Sequence, residues 1–294
     1  MADDKKSAEV RDVASWLAEN ERFFVPPVCN KCMFSDQLKM FFVGGPNQRR
    51  DYHLQEGEEV FYQLKCDMCL KVVENGVRKD IIIREGELFL LPSRVEHSPQ
   101  RYSDTIGAVV ERERANTEFD CVRYFIGDTV ERQLERWFHL TDVVKDLPPL
   151  IRVFMASKSC ATNTITDESF IVKAPFEPCS ITLDSPVNVE ELISATDFST
   201  SKTCIVFGAP KYRSTVALHG VGVHEVETTK GEELLLWTVG RGEATFTIDG
   251  CEKKETPLSS GQIMRVQPSS AVHFTVISHV VMSIRMPGHP AHHY

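Results

Sequence analysis

The chain predicts a mainly β protein: two similar β-barrels in tandem, with a few flanking helices. Three observations carry this. From Leu38 onward, short alternating stretches are broken at regular intervals by turn residues, the pattern of a sandwich or barrel. An internal repeat then brings the same run back in the C-terminal third. Gly57-Glu58-Glu59-Val60-Phe61 returns as Gly231-Glu232-Glu233-Leu234-Leu235, and Gly86-Glu87-Leu88 through Pro92 and His97 returns as Gly261-Gln262-Ile263 through Pro268 and His273. Finally, 294 residues leave room for two ordinary domains, and 42% hydrophobic with 26% charged residues fits packed cores rather than disorder.

Taken in order, residues 8–20 place Val10, Val13, Ala14 and Leu17 at helical spacing, and Pro26-Pro27 closes that region. Strands are then expected at 39–43, ending at Gly44-Gly45, and at 59–64, breaking near Cys66-Asp67. The stretch 68–74 meets Asn75-Gly76, a hairpin signal because a type I′ turn needs positive φ at both central residues. Further strands follow at 81–83, 88–91 and 106–111. Asp128 with Glu131 three residues on resembles a capping box, so a helix is expected to about His139, with Val130, Leu134, Trp137 and Phe138 on one face. A second helix is expected over 150–157. The polar stretch 158–170 is the expected linker, which divides the chain into an N-terminal barrel at 1–157 and a C-terminal barrel at 171–294.

The most informative chemistry lies in the first barrel. Arg49-Arg50-Asp51-Tyr52-His53 precedes Gly57-Glu58-Glu59, and Arg94-Val95-Glu96-His97-Ser98-Pro99-Gln100-Arg101 follows. Two imidazoles and one carboxylate make a facial set that holds Fe(II) and leaves positions open for substrate and dioxygen. Arginine forks read a planar carboxylate bidentately. Within a strand, residues two or four apart share a face, so Arg49 can point with His53, and Arg101 with His97. His53, Glu59 and His97 are therefore the candidate metal ligands, with Arg49 and Arg101 as candidate acid-binding groups. The repeat is incomplete in the second barrel. The position that answers His53 is Glu227, His224 is out of register, and no arginine pair flanks the set. That barrel reads as structural, with His224, Glu233 and His273 left as a vestigial or weak metal set.

A net charge of -9 without a basic run argues against a nucleic-acid partner. Nothing approaches the roughly eighteen apolar residues of a membrane span. The first residues carry no apolar leader, and nine cysteines, an odd number, fit reduced thiols in the cytoplasm.

These motifs resemble the 3-hydroxyanthranilate 3,4-dioxygenase family, cupin enzymes of tryptophan catabolism. The likeness runs through Pro26-Pro27-Val28-Cys29-Asn30-Lys31, Val43-Gly44-Gly45-Pro46-Asn47-Gln48-Arg49, Asp51-Tyr52-His53 and Glu58-Glu59-Val60-Phe61-Tyr62-Gln63. It continues in His97-Ser98-Pro99-Gln100-Arg101 and Arg123-Tyr124-Phe125-Ile126-Gly127-Asp128. Its length resembles the animal form, with one catalytic and one degenerate cupin (jelly-roll) barrel. The resemblance implies Fe(II) on His53, Glu59 and His97, with dioxygen as co-substrate. It further implies Arg49 and Arg101 on the substrate carboxylate, and Glu111 facing the hydroxyl and amine of a small aromatic acid. Asn30 would help to close the pocket, and Glu59 would also border the substrate. The product would be 2-amino-3-carboxymuconate 6-semialdehyde, on the route toward quinolinate and NAD. Two barrels that cover each other's exposed sheet would leave a monomer.

Other readings stay open on the residues alone. The same ligands can take nickel, manganese or zinc, and cupin barrels host other metal-dependent enzymes and non-catalytic acid-binding modules. Glu111 by itself is also readable as a rim carboxylate paired with Arg112 or Arg114. Cys29-x-x-Cys32 and Cys66-x-x-Cys69 could be a thiolate zinc site, with free thiols as the simpler account. His289, His292 and His293 lie near a chain end and carry no assignment.

Overall fold

A computed structural model describes residues 8–26, 29–249 and 255–288, apart from the side chains of residues 143–144. The C-terminal histidines His289, His292 and His293 lie outside the described residues, as do Pro27, Val28 and residues 1–7 and 250–254.

The architecture is the two-barrel cupin arrangement, four antiparallel sheets paired as two jelly rolls. In the first barrel, one six-stranded sheet holds Asn30–Ser35, Leu38–Gly44, Glu59–Lys65, Glu87–Leu91 and Ile106–Arg112. The facing six-stranded sheet holds Tyr52–Leu54, Met68–Glu74, Val77–Ile83, His97–Arg101, Asp120–Phe125 and Arg132–Phe138. The second barrel repeats the plan with one six-stranded and one four-stranded sheet. Edge strands cross between the two. Ala8–Asp12 pairs with Gln262–Val266 of the second barrel, and Val187–Asn188 pairs with Glu87–Leu91 of the first.

Alternation explains how one sheet serves two cores. Leu38, Met40, Phe42, Val60, Leu88, Leu90, Ala108 and Val110 face the second barrel and pack with Val216, Leu218, Leu235, Trp237, Ile263, Met282 and Ile284. Their odd-numbered neighbours Phe61, Phe89, Leu91 and Val109 point into the first barrel. A sheet buried on both faces reads as continuous apolar sequence, as this one does. The Asn75-Gly76 hairpin forms with φ of 50° and 77°.

Two expected helices need correction. Residues 8–12 are a strand, and the helix is only Val13–Glu19, capped by the Asp12 side chain, which accepts from Ser15 N at 2.8 Å. The unpaired edge of the second barrel's sheet takes those residues, and that tertiary demand outweighs local spacing. The stretch after Asp128 is not helical. Gly127 turns at φ 52°, Ile126 N donates to Glu131 O, and Arg132–Phe138 pairs with Asp120–Phe125. Leu134 and Phe138 are four apart, a spacing common to the helical and strand periods, so it could not discriminate. The later helix is Val143–Ala156 and starts ahead of Pro148 and Pro149 rather than after them. Beyond it lie a short helix, Lys158–Thr162, and a run whose Phe176, Ile181 and Leu183 pack on the first barrel. No helix among the described residues is long and apolar enough to cross a membrane.

Candidate active site

The site assembles from strand ends that face each other across the first barrel. His53 stands directly opposite His97 in the antiparallel register of one sheet. Glu59 opens its strand on the facing sheet, beside Glu111. His53, Glu59 and His97 each offer a ligand atom, all within 4.8 Å of one another, and no other such group occurs among the described residues.

Each imidazole is held from behind. His97 Nδ1 lies 2.9 Å from Val95 O, and its Nε2 lies 3.0 Å from Glu59 Oε1. The backbone contact fixes the ring so that Nε2 faces the Glu59 carboxylate. His53 is held through Nε2 by Asp120 Oδ2 at 2.7 Å. Burial would push the Glu59 carboxyl up, but His97, His53 and Arg114 outweigh it and hold the group at about 2. Two oriented imidazoles and an ionised carboxylate, converging inside a barrel, fit a divalent transition metal.

Arg114 ties these supports together. Its guanidinium lies 2.8 Å from Glu111 Oε1 and 3.0 Å from Asp120 Oδ2, and donates to Gln55, which itself touches Glu59. Glu111 is buried in the cavity wall, not on the rim. Burial raises its carboxyl pKa, Arg114 partly offsets that, and the negative Glu59 and Asp120 reinforce it.

The two arginines differ. Arg49 already pairs with Asp51. Arg101 is 2% exposed, donates from Nη1 to Gln63 Oε1 at 3.2 Å, and leaves Nε with no partner among the described residues. Burial lowers its pKa to about 10, with no carboxylate contributing to compensate. An isolated buried cation carries a penalty of several kcal/mol, so its persistence marks a place for an anion. The cavity of about 120 Å³ is lined by His53, Glu59, His97, Arg49, Arg101, Glu111 and Asn30, with Phe41, Val43, Phe61, Val109 and Leu140 as apolar walls. All seven residues singled out in the sequence thus meet at one cavity.

The family model for 3-hydroxyanthranilic acid dioxygenase matches residues 6–155. The chain belongs to that family. The Caenorhabditis elegans 3-hydroxyanthranilate 3,4-dioxygenase is 46% identical over 94% of this chain and 97% of its own. The rat and human enzymes of the same name are 41% and 40% identical, each over 81% of this chain and 83% of theirs. Likeness at that coverage extends into the second barrel. Among solved structures, Bacillus subtilis oxalate decarboxylase aligns over 95% of this chain and 71% of its own at 15% identity and a TM-score of 0.47, too distant to bear on chemistry.

Sequence reasoning missed the groups that support these side chains: Gln55, Asp51, Asp120 and, as a tie between supports, Arg114. Asp120 reaches His53 because its strand pairs with Tyr52–Leu54, a register with no local signal.

In the second barrel, the vestigial set does not converge. His224 pairs with Phe274 across the strands Gly222–Glu227 and Ala271–Ser278, and Glu225 pairs with His273. The two histidines therefore face opposite sides. His224 is buried against Phe274, and His273 is half-buried on the other face, near Glu225 and Asp249. Glu233 turns to the interface, where Leu38 N donates to its Oε2 at 2.8 Å. The cysteine pairs do not converge either. Cys29, Cys32, Cys66 and Cys69 are free thiols, with Cys32 bonded to Phe34 O, and burial pushes both Cys32 and Cys69 up to about 11.

Proposed function

We propose that this chain is a non-haem Fe(II) dioxygenase that cleaves 3-hydroxyanthranilate between C3 and C4, inserting both atoms of dioxygen to give 2-amino-3-carboxymuconate 6-semialdehyde. The observation that carries the reading is Arg101, a buried cation without a counter-ion beside a two-histidine, one-carboxylate set.

His53, Glu59 and His97 would hold the iron, which when bound supplies a Lewis acid and open positions for substrate and dioxygen. Arg101 would bind the substrate carboxylate through charge-assisted hydrogen bonds, with Arg49 as a second contact steadied by Asp51. That grip fixes the ring in one orientation and removes much of the entropic barrier to reaction. Glu111 would take the phenol proton at Oε2 while Arg114 holds Oε1. Its raised pKa suits a carboxylate that must accept a proton. Phe41, Val43, Phe61 and Val109 exclude water around the ring, and Asn30 closes the wall. We further infer a cytoplasmic monomer with no nucleic-acid or membrane partner. The support is the apolar core shared by the barrels and the net charge of -9.

The test is reconstitution with Fe(II) under nitrogen, then addition of air and 3-hydroxyanthranilate. One dioxygen consumed per substrate, with a new muconate semialdehyde chromophore, is the expected result. Substrate binding without oxygen uptake would move the chain to another cupin chemistry.

A further inference from the structure

The unusual state of Arg101 has a structural cause in two residues to which no role in this pocket has been given. Gln63 is 1% exposed and lies on the same strand face as Glu59. Its Nε2 donates to Lys65 O at 3.0 Å and to Cys66 O at 2.7 Å. Those two carbonyls fix the amide, because only the NH₂ end can serve them. Its Oε1 is thereby turned to accept from Arg101 Nη1. Directly across the sheet from Gln63 stands Gly107. A Cβ there would lie 2.7 Å from Arg101 Nη1 and would collide with Gln63 Oε1. The glycine is needed for space, since its φ is not in the left-handed region.

We propose that Gln63 and Gly107 form a neutral clamp that positions the Arg101 guanidinium without cancelling its charge. The clamp makes the pocket selective for an aromatic ring bearing a carboxylate. This rests on the reading of Arg101 as the carboxylate anchor. An amide at position 63 orients the guanidinium through a dipole. A carboxylate of the same shape would give Arg101 a permanent counter-ion and would meet the two carbonyls with no donor. Gly107 supplies the notch in which both side chains fit. Gln63 and Gly107 are positioning residues: they act on the substrate only through Arg101.

The experiment uses the full chain loaded with Fe(II) under nitrogen. It compares dissociation constants for 3-hydroxyanthranilate and for 2-aminophenol, which keeps the ring donors and lacks the carboxylate. The wild type should prefer the acid by roughly 100-fold, the scale of a desolvated charge pair. Gln63→Glu should reduce that preference to below about fivefold while leaving 2-aminophenol binding within about twofold. Gly107→Ala, which tests the same clamp without adding a charge, should reduce it roughly tenfold by displacing the guanidinium. Gln63→Asn, which keeps the amide but shortens the reach, should fall between wild type and Gly107→Ala. A wild type that binds both ligands equally would sink the Arg101 reading itself. A selective wild type whose Gln63→Glu and Gly107→Ala forms stay equally selective would overturn the clamp alone.

Discussion

The two barrels follow one strand plan and differ in what fills them. The interior of the second is apolar: Leu234, Leu236, Phe246, Met264, Val272, Phe274 and Val281 pack in one cluster. Its two buried histidines are satisfied by the protein itself, His224 through Gly220 O at 2.7 Å and His219 through Ser283 Oγ at 2.8 Å. The repeat's glutamate, Glu233, has left the interior to bind the neighbouring barrel. In the first barrel the same region holds Glu59, His97, Arg101, Glu111 and Arg114, and Arg101 remains without a counter-ion. Buried polar groups are normally completed by their own fold. The second barrel satisfies its two buried histidines itself, whereas the first holds a buried guanidinium with no carboxylate beside it, and that difference marks the first barrel as the one built for a ligand.

Substitution at equivalent places should expose that asymmetry most sharply. Glu59→Ala, His53→Ala or His97→Ala should abolish both retained iron and turnover, read by metal analysis and oxygen uptake. His224→Ala and His273→Ala should leave both intact. Iron lost from a His224 variant would make the second barrel a metal site after all.

Removing the uncompensated cation comes next. Arg101→Ala should raise KM for 3-hydroxyanthranilate roughly 100- to 1000-fold, in line with the loss of a buried charge pair, and should keep the metal. Without substrate it should be no less stable than the wild type, because an unpaired buried charge has gone. An unchanged KM would show that the ring binds by another route.

A stability test addresses the second barrel. His219 is buried, and burial, then His224 and Arg285, lower its pKa from the ordinary 6.5 to about 4. The unfolded chain therefore takes up a proton first. The contribution of His219 is complete above pH 6.5, falls as pH drops toward 4, and is constant below that, amounting to about 3 kcal/mol. His219→Gln should shrink the difference in urea midpoint between pH 7 and pH 4.5. Identical pH dependence in variant and wild type would mean that His219 titrates normally. The smallest effect is expected at Glu233→Ala, which strands Leu38 N at the barrel interface and should cost about 1–3 kcal/mol with iron content unchanged.

The same contrast shows what sequence can carry. The gathering of His53, Glu59, His97, Arg49 and Arg101 at one cavity was legible from residue type and local spacing, although Arg49 lies in the loop before the strand Tyr52–Leu54 and not on a strand shared with His53. Asn75-Gly76 was legible because backbone chirality restricts what can occupy that turn. Gln63, Gly107 and Asp120 act through partners 38, 44 or 67 residues away in register, and register across a sheet leaves no mark in either strand alone. The misread helix after Asp128 has the same origin: Leu134 and Phe138 fit two periods, and only pairing with Asp120–Phe125 chooses between them. Residues 8–12 became a strand because a sheet more than two hundred residues downstream, at Gln262–Val266, needed an edge.

One titration tests the account most directly. The Fe(II)-loaded chain, kept under nitrogen, is titrated with 3-hydroxyanthranilate by calorimetry, alongside Arg101→Ala. One molecule bound per chain, lost or greatly weakened in the variant, is what a single working barrel predicts. Two molecules per chain, or full-strength binding without Arg101, would contradict it.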